Sequence, residues 1–417
     1  MKKLFISLLC LVMASSMTAC ANSGTSNENS NENSSTASSE ESSTPDSSVD
    51  ASDTESSETV SDSSESTSLS ENIIRAEELY EEDEEEHTLI EGLQGKIKYI
   101  EQDSAYLTFL AENKIYISQY GGITPKIELP DEAEWVQYFD NMDIGANVYY
   151  YADNKLSLYD DNGELRFKNV EFNPETDCAY VDIGDSFFIM SKQSNGYLIK
   201  YYEITDEKEA EIKGENTLTE YEAVNGDDIT DQIKEVQVVK SNKYGFEAYC
   251  ITNNNELYWA NDIHDDSLEM STSKPIAENV DTVYAQSYIT TYATTPIYSK
   301  VDDDKAVYSV VPGASIVSSD DNVEVAFTMP DSHVPSEIKD IFDSYGALVF
   351  VFDNGDTYIT EDVEKTGTTE YTMTKLEEVS EMNADGKIVD MTGGGSIMEK
   401  YVYMLTDTNE LYVYIIK

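Results

Sequence analysis

The groups in this sequence that could do chemistry are varied in kind but scattered in position. Four cysteines (Cys10, Cys20, Cys178, Cys250) and three histidines (His87, His264, His333) are the thiol and imidazole groups available as ligands. None stand in the close pairs that a zinc site takes. G-x-S-x-G, H-E-x-x-H, the P-loop and the dinucleotide G-x-G-x-x-G are all missing. Gly393-Gly394-Gly395-Ser396 could cradle an anion on its backbone amides, but a loop between a leading strand and a hairpin accounts for it more simply. Asn261-Asp262-Ile263-His264-Asp265-Asp266, Asp302-Asp303-Asp304 and Asp160-Asp161-Asn162-Gly163-Glu164 offer oxygen ligands of the kind calcium takes. Their spacing matches no calcium loop, and they read as solvated turns. With 83 aspartates and glutamates, spacing cannot single out an acid–base pair for glycoside chemistry. The residues predict no catalytic set, no metal site and no cofactor.

Cys20 is the exception. Lys2 and Lys3 precede a ten-residue apolar run at 4–13 (LFISLLCLVM), followed by small residues and Met17-Thr18-Ala19-Cys20. This is the pattern of a signal peptide, and the run is too short for a ~30 Å bilayer core. Its end resembles the bacterial lipobox. The resemblance implies cleavage between Ala19 and Cys20 and a diacylglyceryl group on Cys20. Two acyl chains anchor stably where one does not. The expected address is the cell membrane, lipid-anchored and facing the extracellular or cell-wall side. Cys10 would leave with residues 1–19.

Residues 21–71 are Ser, Asn, Thr, Glu and Asp with almost nothing apolar. Such a segment cannot bury enough surface to offset backbone ordering and is predicted to be disordered. The acidic run at 81–86 repels itself and favours extended chain. The expected division is therefore a signal peptide at 1–19, a lipidated tether at 20–90 and a folded domain at 91–417. That domain holds 63 acidic and 23 basic residues, a formal charge of −40. Nucleic acid requires basic surface to release counterions and is excluded as a partner. Cys178 and Cys250 could pair in an exported domain. They fall in neighbouring units of the arrangement below without a clear contact, which favours two buried thiols.

The domain is built from a repeat. Ile251-Thr252-Asn253-Asn254-Asn255-Glu256-Leu257-Tyr258 and Leu405-Thr406-Asp407-Thr408-Asn409-Glu410-Leu411-Tyr412 share five of eight residues. Similar segments run through Asn113, Asn154 and Gly355. Each reads as a β-hairpin whose Asn or Gly takes positive φ in the turn. Two of the gaps between these turns are double the others, so hairpins at Asn195-Gly196 and Asp302-Asp303-Asp304 complete a set of seven. A leading strand precedes each hairpin, as at Ile97-Lys98-Tyr99-Ile100, Ile338-Lys339-Asp340-Ile341 and residues 387–391. Short strands at regular spacing without long amphipathic helices predict an all-β fold, a seven-bladed β-propeller. The sequence ends directly after a strand, which suggests that this strand is built into the ring. The alternative is two β domains divided near 205–228.

The hairpins at residues 251–259 and 405–412 resemble those of regulator-of-chromosome-condensation repeats. Residues 148–151 and 158–163 resemble YWTD-type propellers of bacterial lipoproteins. Either resemblance implies a propeller, and neither fixes a function. Of thirty tyrosines, Tyr258 and Tyr412 are expected in the core. Tyr201, Tyr202, Tyr288 and Tyr292 are candidates for exposed contact residues. The expected function is that of a surface-tethered binding module for a protein, peptide or cell-wall glycan, and not an enzyme. A hydrolase or lyase using carboxylates in the propeller channel is the alternative.

Overall fold

A computed structural model describes residues 72–416, except at 81–82, 104–105, 120–121, 129–134, 142–144, 161–163, 174–175, 182–185, 194–195, 242–244, 265–266, 291–292, 312–322, 364–367 and 396–398. Ala19, Cys20 and the tether up to residue 71 lie outside the described residues.

The chain forms a β-propeller. Its described strands fall into seven successive four-stranded sets. Their first strands are Ile97–Asp103, Trp135–Asn141, Asp177–Val181, Ile233–Ser241, Val280–Thr290, Ile338–Ser344 and Ile388–Gly395. Six sets are antiparallel meanders. The seventh has only three strands of its own, and Ile73–Arg75 supplies the fourth. Ile73 pairs with Tyr414 and Arg75 with Tyr412, and the Ile415 amide donates to the Asn72 carbonyl at 2.9 Å. The first strand of the seventh set lies against those of the sixth and first sets, which closes the ring.

Apolar cores lie between successive sheets. Phe167 of the second set stacks on Phe187 of the third, centroids 4.1 Å apart, and Phe187 stacks on Tyr202 at 4.6 Å. Ala347–Phe352 is buried along its whole length. A strand covered on both faces reads as a continuous apolar run rather than an alternation, as the sequence ALVFVF does. Outer edges are also covered. Glu220–Glu222 adds a parallel fifth strand to the fourth set. The outer strands of the fifth and sixth sets, Val323–Thr328 and Glu370–Lys375, pair with each other in parallel. Such pairing hides edges that would otherwise recruit other chains.

The structure moves the expected boundary at residue 91. Residues 72–80 and the helix Glu84–Leu93 belong to the folded domain. Asp83 accepts from the Glu85 and Glu86 amides at 3.3 and 3.4 Å, and the acidic residues after it sit in the helix's first turn. Negative charge is stabilising there, next to the unpaired amides of the N-terminus. Repulsion within the acidic run is thus outweighed by capping, and by burial of Ile90 and Leu93 against Ile97, Phe109, Leu411 and Val413. Three further expectations change. Residues 205–228 are no domain border, since they hold Ala210–Leu218, the outer strand of the third set, and Glu220–Glu222. Gly393 to Gly395 lie in a strand, not a loop. Each set also has an outer fourth strand that the hairpin pattern did not reveal.

Candidate functional site

The first strands carry the carboxylates that come nearest to a site. Five of them begin with the same irregularity, one extra residue at Lys98, Lys234, Asp281, Lys339 or Val389. A bulge of this kind leaves a residue unpaired and re-aims its neighbours. In the sixth and seventh sets the next residue is an aspartate. Asp340 Oδ1 accepts from the Ile341 amide at 2.8 Å, and Asp390 Oδ1 from the Met391 amide at 2.9 Å. Asp390 also interacts with the Ile100 amide of the first set, across the closure of the ring. Burial pushes the Asp390 carboxyl up to about 6, and the charge of Asp340 adds to the effect. Burial likewise raises Asp340. Asp340 is itself exposed to solvent.

A second cluster lies at the far end of the same strands. Asp343 is pushed up to about 6 by burial, against the opposing effect of backbone donors. Its Oδ2 accepts from the Gly346 amide at 2.9 Å. Burial lowers the ammonium pKa of Lys400, the charge of Asp343 offsets this in part, and Lys400 contacts Asp362. Ser344 Oγ is within 3.1 and 2.9 Å of the Gly394 and Tyr401 carbonyls. Here the triple glycine acquires a reason. A Cβ at Gly393 would overlap the Asp343 carbonyl, and one at Gly394 would overlap the Tyr403 ring. These glycines pair in the ladder opposite Val402, Tyr401 and Lys400. At Gly393 the strand approaches its neighbour too closely for any side chain, so residues 393–395 form a strand where a loop was expected. Ser396 lies outside the described residues.

A third feature is a groove of about 610 Å³ at the closing seam, between the last hairpin turn and the first strand of the ring. Lys96, Lys98, Lys114, Glu112, Glu128 and Asn113 line it. Its rim at Asn409 is fixed, because the Asn409 carbonyl accepts from the Gly95 and Ile97 amides at 3.0 and 3.3 Å.

The repeated hairpin is explained by the same kind of stitching. Thr406 Oγ1 accepts from the Glu410 amide and Thr252 Oγ1 from the Glu256 amide, both at 3.1 Å. Asn255 and Asn409 have φ of 60° and 62°. Their carbonyls then point at the next set, where Val280 donates to Asn255 at 2.8 Å. In the first hairpin the left-handed residue is Glu112 rather than Asn113, with φ of 54°.

Most of the other residues singled out by sequence take part in local packing or hydrogen bonding. His333 is buried, stacked on Phe352 at 4.1 Å, with Nδ1 3.2 Å from Glu337 and Nε2 3.0 Å from Asp356. Lys375 reaches Asp356 at 2.7 Å. Nothing in the spacing of these four residues forecast that network. His87 Nδ1 lies 3.0 Å from the Glu77 carbonyl. Cys250 is a buried free thiol whose pKa burial drives upward. Asp303 accepts from Tyr308 and the Lys305 amide, and Asp160 accepts from the Glu164 amide at 2.8 Å, as turn residues do. Tyr202 is buried and pushed up to about 12, mainly by desolvation, so it is no contact residue. Tyr201 is half-buried, as are Tyr258 and Tyr412. The side chains of Cys178, His264 and Tyr288, and residue Tyr292, fall outside what is described. Among the described residues no three His, Cys, Asp or Glu are grouped to hold a metal ion. No described helix is long and apolar enough to cross a membrane.

No protein-family model matches the chain, and no curated protein matches it. Among solved structures it is similar to a chain of the mitotic checkpoint complex, at 10% identity and a TM-score of 0.42 over 78% of this chain and 91% of that one. It is also similar to Hsv2p of Kluyveromyces lactis, at 11% identity and a TM-score of 0.40 over 77% and 98%. The computationally designed protein Ika8 aligns at 10% identity and a TM-score of 0.35 over 78% and 97%. The fold assignment rests on the strand order and ring closure described above.

Proposed function

We propose that this chain is a lipid-anchored protein of the outer cell surface whose propeller binds a protein, peptide or wall glycan without turning it over. The anchor is the acyl group on Cys20, with cleavage after Ala19, and the tether up to residue 71 holds the domain away from the bilayer. The observation that best supports binding rather than catalysis is the engagement of the axial carboxylates. Asp340, Asp343 and Asp390 each accept a backbone amide at 2.8–2.9 Å, at the strands beside the ring closure. A general acid or base must reach the substrate's proton. These groups instead satisfy amides of their own strands and turns, and Asp390 also meets the Ile100 amide of the first set.

The hydrolase or lyase reading draws on one specific observation. Asp343 and Asp390 are both raised to about 6, and Lys400 is lowered beside Asp343. Shifts of this kind mark functional sites as well as structural networks. The two readings separate in one experiment. The full chain is used as bait on intact cells, and the same preparation is assayed on a panel of wall glycans and peptides. Capture of a partner without product formation supports binding. Turnover abolished by Asp343→Asn or Asp390→Asn refutes it.

A further inference from the structure

We propose that the groove at the closing seam takes a compact oxyanion, a phosphate or carboxylate group presented by the partner. This rests on the reading of the chain as a binding module and names the chemistry of one contact.

Charge placement carries the inference. Only 23 of the 327 residues from 91 onward are basic, yet Lys96, Lys98 and Lys114 line one concavity. Its six lining side chains named above are all polar or charged, so the group it receives is hydrophilic. Lys96 and Lys114 are held by exposed partners only loosely. Lys96 is 3.1 Å from Glu112 and Lys114 is 3.9 Å from Glu128, and at least 43% of each of these four side chains is exposed. Exposed pairs of this kind contribute about 0–1 kcal/mol. An incoming oxyanion can therefore take the ammonium groups at small cost. The backbone beneath them is fixed by the Asn409 carbonyl and by the Lys96 amide, which donates to the Leu93 carbonyl at 3.0 Å.

The domain charge of −40 does not forbid this. Charges beyond about 8 Å are largely screened at physiological ionic strength, so a small anion in the groove meets mainly its lining, three lysines against the two glutamates that pair with Lys96 and Lys114. A long polyanion would extend beyond the groove over the rest of a domain with a formal charge of −40. The site thus selects a compact group over a polymer of like charge.

The test is calorimetric titration of the full chain at physiological ionic strength with inorganic phosphate and, separately, with acetate. The comparison proteins are the double variant Lys96→Gln/Lys114→Gln and the remote variant Lys213→Gln, on the outer strand of the third set. Saturable binding that weakens about tenfold in the double variant, a loss of about 1.4 kcal/mol, and is unchanged in Lys213→Gln supports the inference. Preference for phosphate or for acetate then says which oxyanion the partner presents. Absence of saturable binding by both probes, or equal affinity in the double variant, overturns it. Capture from intact cells keeps the two readings apart. If capture persists while both probes fail, the groove assignment falls and the binding module stands. If nothing is captured at all, the module falls.

Discussion

Replacing Asp390 by Asn should change how stability depends on pH, and the direction follows from the structure. The native carboxyl is raised from 3.8 to about 6, chiefly by burial. The fold therefore binds its proton more tightly than the unfolded chain does. Stability from this group is fully present below about pH 4 and is lost as pH rises through about 6. Two units correspond to a ceiling of about 3 kcal/mol, reduced by whatever water reaches the group. Asparagine keeps an oxygen for the Met391 amide and carries no charge to desolvate. The sequence pI is about 4.1, where solubility is lowest, so urea titrations belong between pH 5 and 7.5. Over that range the wild type should lose about 1.4 kcal/mol relative to Asp390→Asn. Taking the difference between the two proteins cancels the self-repulsion of the other carboxylates. A difference that stays constant across the range would refute the buried, proton-retaining Asp390.

Further outcomes follow from single contacts. Gly393→Ala should destabilise by about 3 kcal/mol in urea titration, because its Cβ meets the Asp343 carbonyl. Gly92→Ala, with open space in a helix, should stabilise by about 0.5–1 kcal/mol in the same assay. Thr406→Ala should cost about 1 kcal/mol by leaving the Glu410 amide without its side-chain acceptor. Cys20→Ser should release the protein from the membrane fraction into the medium, read by fractionation and immunoblot.

The hairpins were legible because their constraints are local. A Thr that caps the turn, an Asn or Gly at positive φ and the alternating strand after it all fall within eight residues. Closure by Ile73–Arg75 was not legible, because three residues next to a polar tether form no pattern. Their partner lies more than 330 positions away, at Tyr412 to Tyr414. The acidic run hid a helix start for a different reason. Its charge was weighed as repulsion, while the cap at Asp83 and the buried Ile90 and Leu93 decide the outcome. Outer strands such as Gly122–Glu128 and Ala210–Leu218 escaped detection because they are polar, interrupted or weakly alternating. Glycines 393–395 read as a loop because composition cannot distinguish a flexible segment from two strands in very close approach. The groove was invisible for a simpler reason. Its lysines are brought to the last hairpin only when the ring closes.

Hydrogen exchange along residues 412–415, whose strand pairs with Ile73–Arg75 and whose Ile415 amide donates to the Asn72 carbonyl, puts the closure to the test most directly. Two forms of the domain are compared, one starting at residue 72 and the other at 76, which removes the strand Ile73–Arg75 and keeps the helix Glu84–Leu93. If Ile73–Arg75 completes the seventh set, these amides are protected in the longer form and exchange much faster in the shorter one. Equal protection in both would mean that the last strand is covered without the N-terminal segment, and that the ring closes in some other way.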